Sequence, residues 1–385
     1  MSTPVNDRLV SLDAFRGATI AGMVLVNNPG DWNNAYSQLL HAKWHGWTFT
    51  DWIFPFFLFI VGVSMVFSLS RKSLQTTERF DAVLGLWKRA LIIFAIGLAL
   101  NFIPNFSIET LRIPGVLQRI AICIVIAAPL VVYCGWRAWV GAIIALFIVY
   151  AIPMLAVPVT GDDGWVAAGR LEPGRDFGAW IDRALLSGHL WASAKTWDPE
   201  GLWSTLPAVS TLLFGALTGR WLLAELPQSE KTVWMLLCGL LLVWVGAMLD
   251  VVLMPINKPL WTVSYSVFMA GWGLVVFAAF YWLMDACGRV RVTDRARRVF
   301  LPLTVFGMNA LFIFAFSGLV AKLLGAIKLT AESGGSQSLK AVVFGHIQVI
   351  GLSPKLASLV YALLFLAAMY VVAWFMWKKR WFVKV

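Results

Sequence analysis

Charge is what this 385-residue chain has least of: 13% of its residues are Asp, Glu, Lys or Arg, against 60% hydrophobic. A water-soluble domain carries about 25% charged and about 45–50% apolar residues. A soluble fold is therefore excluded, and an all-α polytopic membrane protein is expected. Cysteine is scarce as well. The four, Cys123, Cys134, Cys238 and Cys287, fall in apolar runs or at their ends, so no disulfide framework is expected. No Walker sequence, GxGxxG fingerprint, GxSxG elbow or CxxC pair occurs, so a nucleotide-containing ligand has to be bound by shape and scattered basic residues. No cleavable leader is expected, because the first apolar run begins near Val10, carries Asp13 and Arg16, and has no small-residue cleavage site. The absence of an internal repeat leaves an inverted-repeat transporter without direct support.

What the chain has in quantity is apolar length. Runs of the roughly 20 residues that cross a bilayer fall near 10–29, 52–70, 86–104, 115–134, 137–156, 203–224, 232–254, 262–284, 299–324 and 356–377. These predict ten spans, with both chain ends on one side. That side holds Arg8, Arg71, Lys72, Arg79, Lys88, Arg89, the cluster Arg289–Arg298 and the terminal Lys378, Lys379, Arg380 and Lys384. It accounts for the whole net charge of +11, and the other side balances to zero. Basic loops stay in the cytoplasm. The charge is thus a topology signal and no nucleic-acid partner is expected. The longest extracytoplasmic loop, about 157–202, contains GDDG (161–164). A second insert carries the polar ESGGSQS and then an apolar piece at 341–351, too short to span, that reads as interfacial or re-entrant.

The chemically capable side chains gather in HAKWHGWTFTDWIFPFFLF (41–59), on the extracytoplasmic side. His41 and His45 are spaced i,i+4, which suits a metal pair on a helix, but no third ligand follows and no metal is expected. An imidazole can take and return a proton near neutral pH. Trp44 and Trp47 suit either an interfacial belt or a sugar face. Asp51 reads either as a helix-start carboxylate or as the group that orients a histidine. Pro55 is expected to kink the second span.

In the first span Asp13 and Arg16 lie three apart, a structural ion pair or the lining of a polar path. Asn27 lies on nearly the same face, about 16 Å further along. In RIPGVLQRI (112–120) Arg112 and Arg119 are seven apart, on one helix face, with Gln118 beside them. A buried Arg119 would pair with Asp13 or bind an anionic ligand. Asn309, in GMNA, reads as helix packing or ligand contact, and His346 and Gln348 form a weaker cluster. The small-residue face GATIAG (17–22) is expected to pack helices within the chain or across a homodimer.

Taken in order, RLVSLDAFRG (8–17), VN (26–27), HAKWHGWTFTDWIFPFFLFIVG (41–62) and RIPGVLQRI (112–120) resemble the heparan-α-glucosaminide N-acetyltransferase family. They are most similar to its short bacterial, NagX-like members within the transmembrane acyltransferase superfamily. The likeness is dense over roughly the first 135 residues and looser beyond, with GMNALFIF (307–314) as a late echo.

The resemblance implies a single transmembrane acyltransferase domain over 1–385 in a bacterial inner membrane. It would move an acetyl group from cytoplasmic acetyl-CoA to an extracytoplasmic amino sugar. The family's active-site histidine falls on His41 rather than His45, and its pocket asparagine on Asn27; Asp51, read from the residues alone, would orient the His41 ring. Candidate CoA contacts are Arg16, Arg119, Gln118, Asn309, Lys88 and Arg89. Trp44, His45 and Trp47 are candidates for the sugar. The large lumenal domain of the lysosomal enzyme is not expected ahead of a span that starts near residue 10, so a small sugar or envelope glycan is favoured over a heparan polymer. The competing readings are an amino-sugar permease that uses the Trp-rich rim as its entry site, and a structural scaffold.

Overall fold

The computed structural model describes residues 9–70, 78–161, 164–330 and 336–383. Asp7, Arg8, Arg71, Lys72, Lys384, Asp162 and Asp163 of GDDG, and Glu332–Gly335 of ESGGSQS lie outside the described residues. The described chain is overwhelmingly helical. Its helices are α1 (Val10–Val26), α2 (Thr50–Ser70), α3 (Glu78–Phe102), α4 (Val116–Tyr133), α5 (Trp136–Ala156), α6 (Phe177–Leu186), α7 (Thr205–Leu222), α8 (Gln228–Val252), α9 (Val263–Tyr281), α10 (Val290–Val299), α11 (Leu301–Met308), α12 (Ala310–Ala326), α13 (Leu339–Gln348) and α14 (Pro354–Lys378). Two antiparallel hairpins, β1 (Val159–Gly161) with β2 (Gly164–Val166) and β3 (Lys328–Thr330) with β4 (Ser336–Ser338), sit in the loops.

Among the described residues, seven helices are long and apolar enough to cross a membrane, eight if the bent pair α11–α12 counts as one. The apolar run 299–324 is not one continuous span: it breaks at Asn309, where the two halves meet at 83°. The short α1 and the more polar α7 are held by backbone-close packing instead of by length. A Cβ on Gly17 would meet the Leu303 carbonyl oxygen at 1.6 Å, and one on Gly307 the Asp13 carbonyl oxygen at 1.8 Å. The GATIAG face is thus consumed inside the chain, against α11 at Gly17 and against Ile53 of α2 at Gly22. Gly62 of α2 and Gly215 of α7 cross in the same way. Small residues let helices approach closely where lipid supplies no hydrophobic drive.

Prolines in the spans free carbonyls that water cannot reach, and side chains take them up. Pro55 leaves the Asp51 carbonyl without its helical donor, and the Tyr265 hydroxyl donates to it at 2.7 Å. Pro129 does the same to the Val125 carbonyl, which accepts from Trp87 Nε1 at 3.1 Å.

The two ends of the described chain meet at one end of the bundle. Asn309 Nδ2 donates to the Trp381 carbonyl, and its Oδ1 accepts from the Val383 amide, while the Ser11 amide donates to Asp285 Oδ2. At the opposite end the Gly30 amide donates to the Ser358 carbonyl. The segment 341–351 belongs mostly to α13, which Ser338 caps by accepting from the Ala341 amide and which packs Phe344 and Ile347 against the start of α14.

Candidate active site

The loop 40–49 is not helical, so His41 and His45 do not share a helix face. Gly46, at φ +94°, makes a turn that favours glycine, and its amide donates to the Ile256 carbonyl at 2.7 Å. His45 Nδ1 faces Asn257 Nδ2 at 3.3 Å, and that amide also donates to the Trp44 carbonyl. Trp44 Nε1 donates to the Leu171 carbonyl and its ring meets Trp197 edge-on. Trp44 is thereby built into the cap formed by the 157–202 loop. Trp47 is 40% exposed and packs its ring, tilted, against Trp52 and Phe268.

His41 is held differently. Its Nδ1 lies 2.6 Å from Asp51 Oδ1, in the first turn of α2. Asp51 Oδ2 accepts from the Ala42 amide, the Thr48 amide and Thr48 Oγ1. A carboxylate so surrounded by donors is an acceptor toward His41, so the ring proton belongs on Nδ1 and the Nε2 lone pair stays free. The His41 side chain is 48% exposed while Asp51 is 1% exposed. Desolvation and then the charge of Lys258 push the His41 pKa below its ordinary value, against the pull of Asp51. The imidazole is therefore neutral at neutral pH and available as a base.

Lys258 belongs to a second polar group that the sequence motifs did not single out. Its Nζ stands 3.8 Å from Glu200 Oε1, and its side chain is 11% exposed. Arg112 Nη2 donates to Glu200 Oε2 at 2.6 Å, and Arg112 pairs bidentately with Asp198. Burial works against the charge on Arg112, but the two carboxylates outweigh it and raise its pKa. Arg112 precedes α4, so its seven-residue spacing from Arg119 has no helical meaning. Arg119 does not pair with Asp13. It is buried, its Nη2 donates to the Gly201 carbonyl and Ser204 Oγ, and its guanidinium lies 5.1 Å above the Trp261 ring. Its Nε and Nη1, like Gln118 Nε2, find no partner among the described residues.

Asn27 is the exposed C-cap residue of α1, on the same end of the bundle as the His41 loop. Asp13 and Arg16 lie toward the other end, with Arg16 Nη1 on Asp13 Oδ1 at 3.1 Å and Nη2 on Ser64 Oγ at 2.6 Å. Arg16 and Ser64 line a cavity of about 550 Å³ with Arg89, Ile93, Ile120, Gly307, Met308, Ala310, Leu311 and Val383. Lys88 is exposed and is not among its lining residues, and both groups of the Asn309 amide are taken by the chain's end. On α2 the cavity reaches up to Phe57, about 9 Å along the axis beneath Asp51. The cavity, with Arg16 and Arg89 in a mostly apolar lining, ends below the His41–Asp51 pair. No three His, Cys, Asp or Glu side chains among the described residues group to hold a metal.

The model of the catalytic region of heparan-alpha-glucosaminide N-acetyltransferase matches residues 8–178, which contain His41, Asp51, Asn27, Arg16 and Arg119. The chain is 26% identical over 362 residues to the human enzyme of that name, covering 80% of this chain and 52% of the relative. The mouse enzyme is 24% identical over 363 residues, with 80% and 53% covered. Over residues 8–178 the chain is similar to the catalytic region of the heparan-alpha-glucosaminide N-acetyltransferase family. It spans about half the length of these relatives. Glu200 and Lys258 lie beyond the matched catalytic region. Their signal in the sequence was slight: two charges in Trp-flanked loops, WDPEGLW (197–203) and PINKPLW (255–261), on the side that carries the His41 patch.

Proposed function

We propose that this chain is a member of the heparan-alpha-glucosaminide N-acetyltransferase family and a transmembrane acetyltransferase. Acetyl-CoA enters at the basic end that carries the chain termini, and the acetyl group passes to the amino group of a glucosamine-type sugar or related glycan at the opposite face. The carrying observation is the His41–Asp51 pair standing above a chamber lined by Arg16 and Arg89. The basic loops set the termini in the cytoplasm, which for a bacterial chain makes this a multi-pass inner-membrane protein.

In this reading the two arginines attract the polyanionic donor, and its thioester arm extends up the chamber. The free Nε2 of His41 takes the proton from the acceptor amine as nitrogen attacks the thioester carbonyl. The C–N bond forms, the C–S bond breaks, and the thiolate leaves with CoA. Asn27 donates to the developing oxyanion, and Asp51 stabilises the imidazolium. The same open Nε2 also suits an acetyl carrier, which burst kinetics distinguish.

The test is His41→Ala in purified enzyme. Transfer is expected to fall by about 10²–10⁴-fold, with donor binding retained. Transfer at the full rate would remove the assignment.

A further inference from the structure

α10 is a short helix trapped between two membrane segments. Three residues, Cys287–Arg289, separate it from the π-helical turn that ends α9, and Phe300 alone separates it from α11. It therefore cannot leave the bilayer interface. Its inner side is fixed: Ala296 is buried against Ala14 and Met284. Arg297 donates to the Met284 carbonyl at 2.9 Å and to Asp285 Oδ1 at 3.1 Å. Asp285 Oδ2 in turn accepts from the Ser11 amide at the start of α1.

The remaining sides are unusual for a surface that faces only water. At 100° per residue, Arg291, Arg295 and Arg298 fall within about 60° of one another. All three are exposed, and none has a hydrogen bond or ion pair among the described residues. Between this ridge and buried Ala296 lie Val292 and Val299, the latter 63% exposed. Going round the helix, the order is protein contact, exposed valines, arginine ridge, then exposed Asp294 and Val290 on the far flank. A helix on a bilayer surface has that order when valines dip into the acyl boundary and arginine stems reach back to headgroup phosphates.

We propose that the Arg291–Arg295–Arg298 ridge of α10 is a binding site for anionic phospholipid headgroups, on the bilayer face that carries the chain ends. Charge complementarity names the occupant, since clustered arginines on an interfacial amphipathic helix recognise anionic lipid. The valine flank separates this site from one for a soluble anion, which has no use for apolar neighbours. The donor chamber does not claim these arginines either, since Arg16 and Arg89 line it. The inference stands apart from the acetyl-transfer reading.

The experiment uses the full chain in neutral detergent micelles titrated with phosphatidylglycerol or phosphatidylcholine. Retained lipid is read by native mass spectrometry, and stability by the thermal-unfolding midpoint. Phosphatidylglycerol is expected to be retained and to raise the midpoint, weakening with salt, while phosphatidylcholine does neither. The R291Q/R295Q/R298Q variant is expected to bind phosphatidylglycerol roughly a hundredfold more weakly, and R291K/R295K/R298K to keep most of the affinity. Equal retention of the two lipids by the unmodified chain overturns the proposal without recourse to any variant. So does undiminished binding in the glutamine variant, or the same midpoint shift from inorganic pyrophosphate, which would mark a soluble-anion site.

Discussion

One oxygen of Asp51 holds the His41 imidazole and the other closes the loop that delivers it. The carboxylate thus orients the histidine while sitting in the first turn of α2, where the helix dipole favours it. Lys258 adds electrostatics: its charge disfavours the imidazolium and helps to keep His41 neutral. The sign of the pH dependence follows. A neutral base works above its pKa, and that pKa lies below the ordinary imidazole value of about 6.5. The acid limb of kcat/KM is expected below that value, with activity lost as pH falls through it. Lys258→Met is expected to move the limb upward and Lys258→Arg to leave it in place; Glu200 keeps Arg112 as its partner in both. A limb that stays put in Lys258→Met would show that Lys258 has only a structural part. His41 and Asp51 were legible in one stretch of sequence because they are ten residues apart. Lys258 and Glu200 were not, because separate loops from distant parts of the chain bring them to the histidine.

At the scale of elements, the break between α11 and α12 shapes the chamber. Hydropathy stays high through GMNA, so apolar length alone reads 299–324 as a continuous helix. What ends α11 is Asn309, whose side chain binds the backbone at Trp381 and Val383 and draws the chain's end against the cavity wall. Asn309→Ala removes two hydrogen bonds worth about 1 kcal/mol each. It is expected to raise the KM for donor about 5-fold or more with kcat little changed, measured by steady-state kinetics. An unchanged KM would mean that the tail is no part of the donor site. The proline positions carry a similar lesson. Pro55 is visible in the sequence, but the Tyr265 hydroxyl that takes up its orphaned carbonyl is not, since it arrives from α9.

Over the whole molecule, the membrane character follows from composition and apolar length alone. The interlocking does not, because it depends on which glycines meet: Gly17 with α11, Gly307 with α1, Gly62 and Gly215 across α2 and α7. Those crossings bring the Arg16 level of α1 to the cavity and leave His41 and Asp51 above it. The proposed transfer needs a donor entry at the Arg16 end and a base at the His41 end, and the two groups of residues lie apart along the bundle axis. Sealed proteoliposomes that enclose labelled acetyl-CoA, with glucosamine outside the face bearing His41, test it most directly. N-acetylglucosamine is expected to form outside, to depend on the enclosed donor, and to be lost in His41→Ala. Uptake of glucosamine without acetyl-CoA and without acetylated product, or full product formation by His41→Ala, would contradict the account.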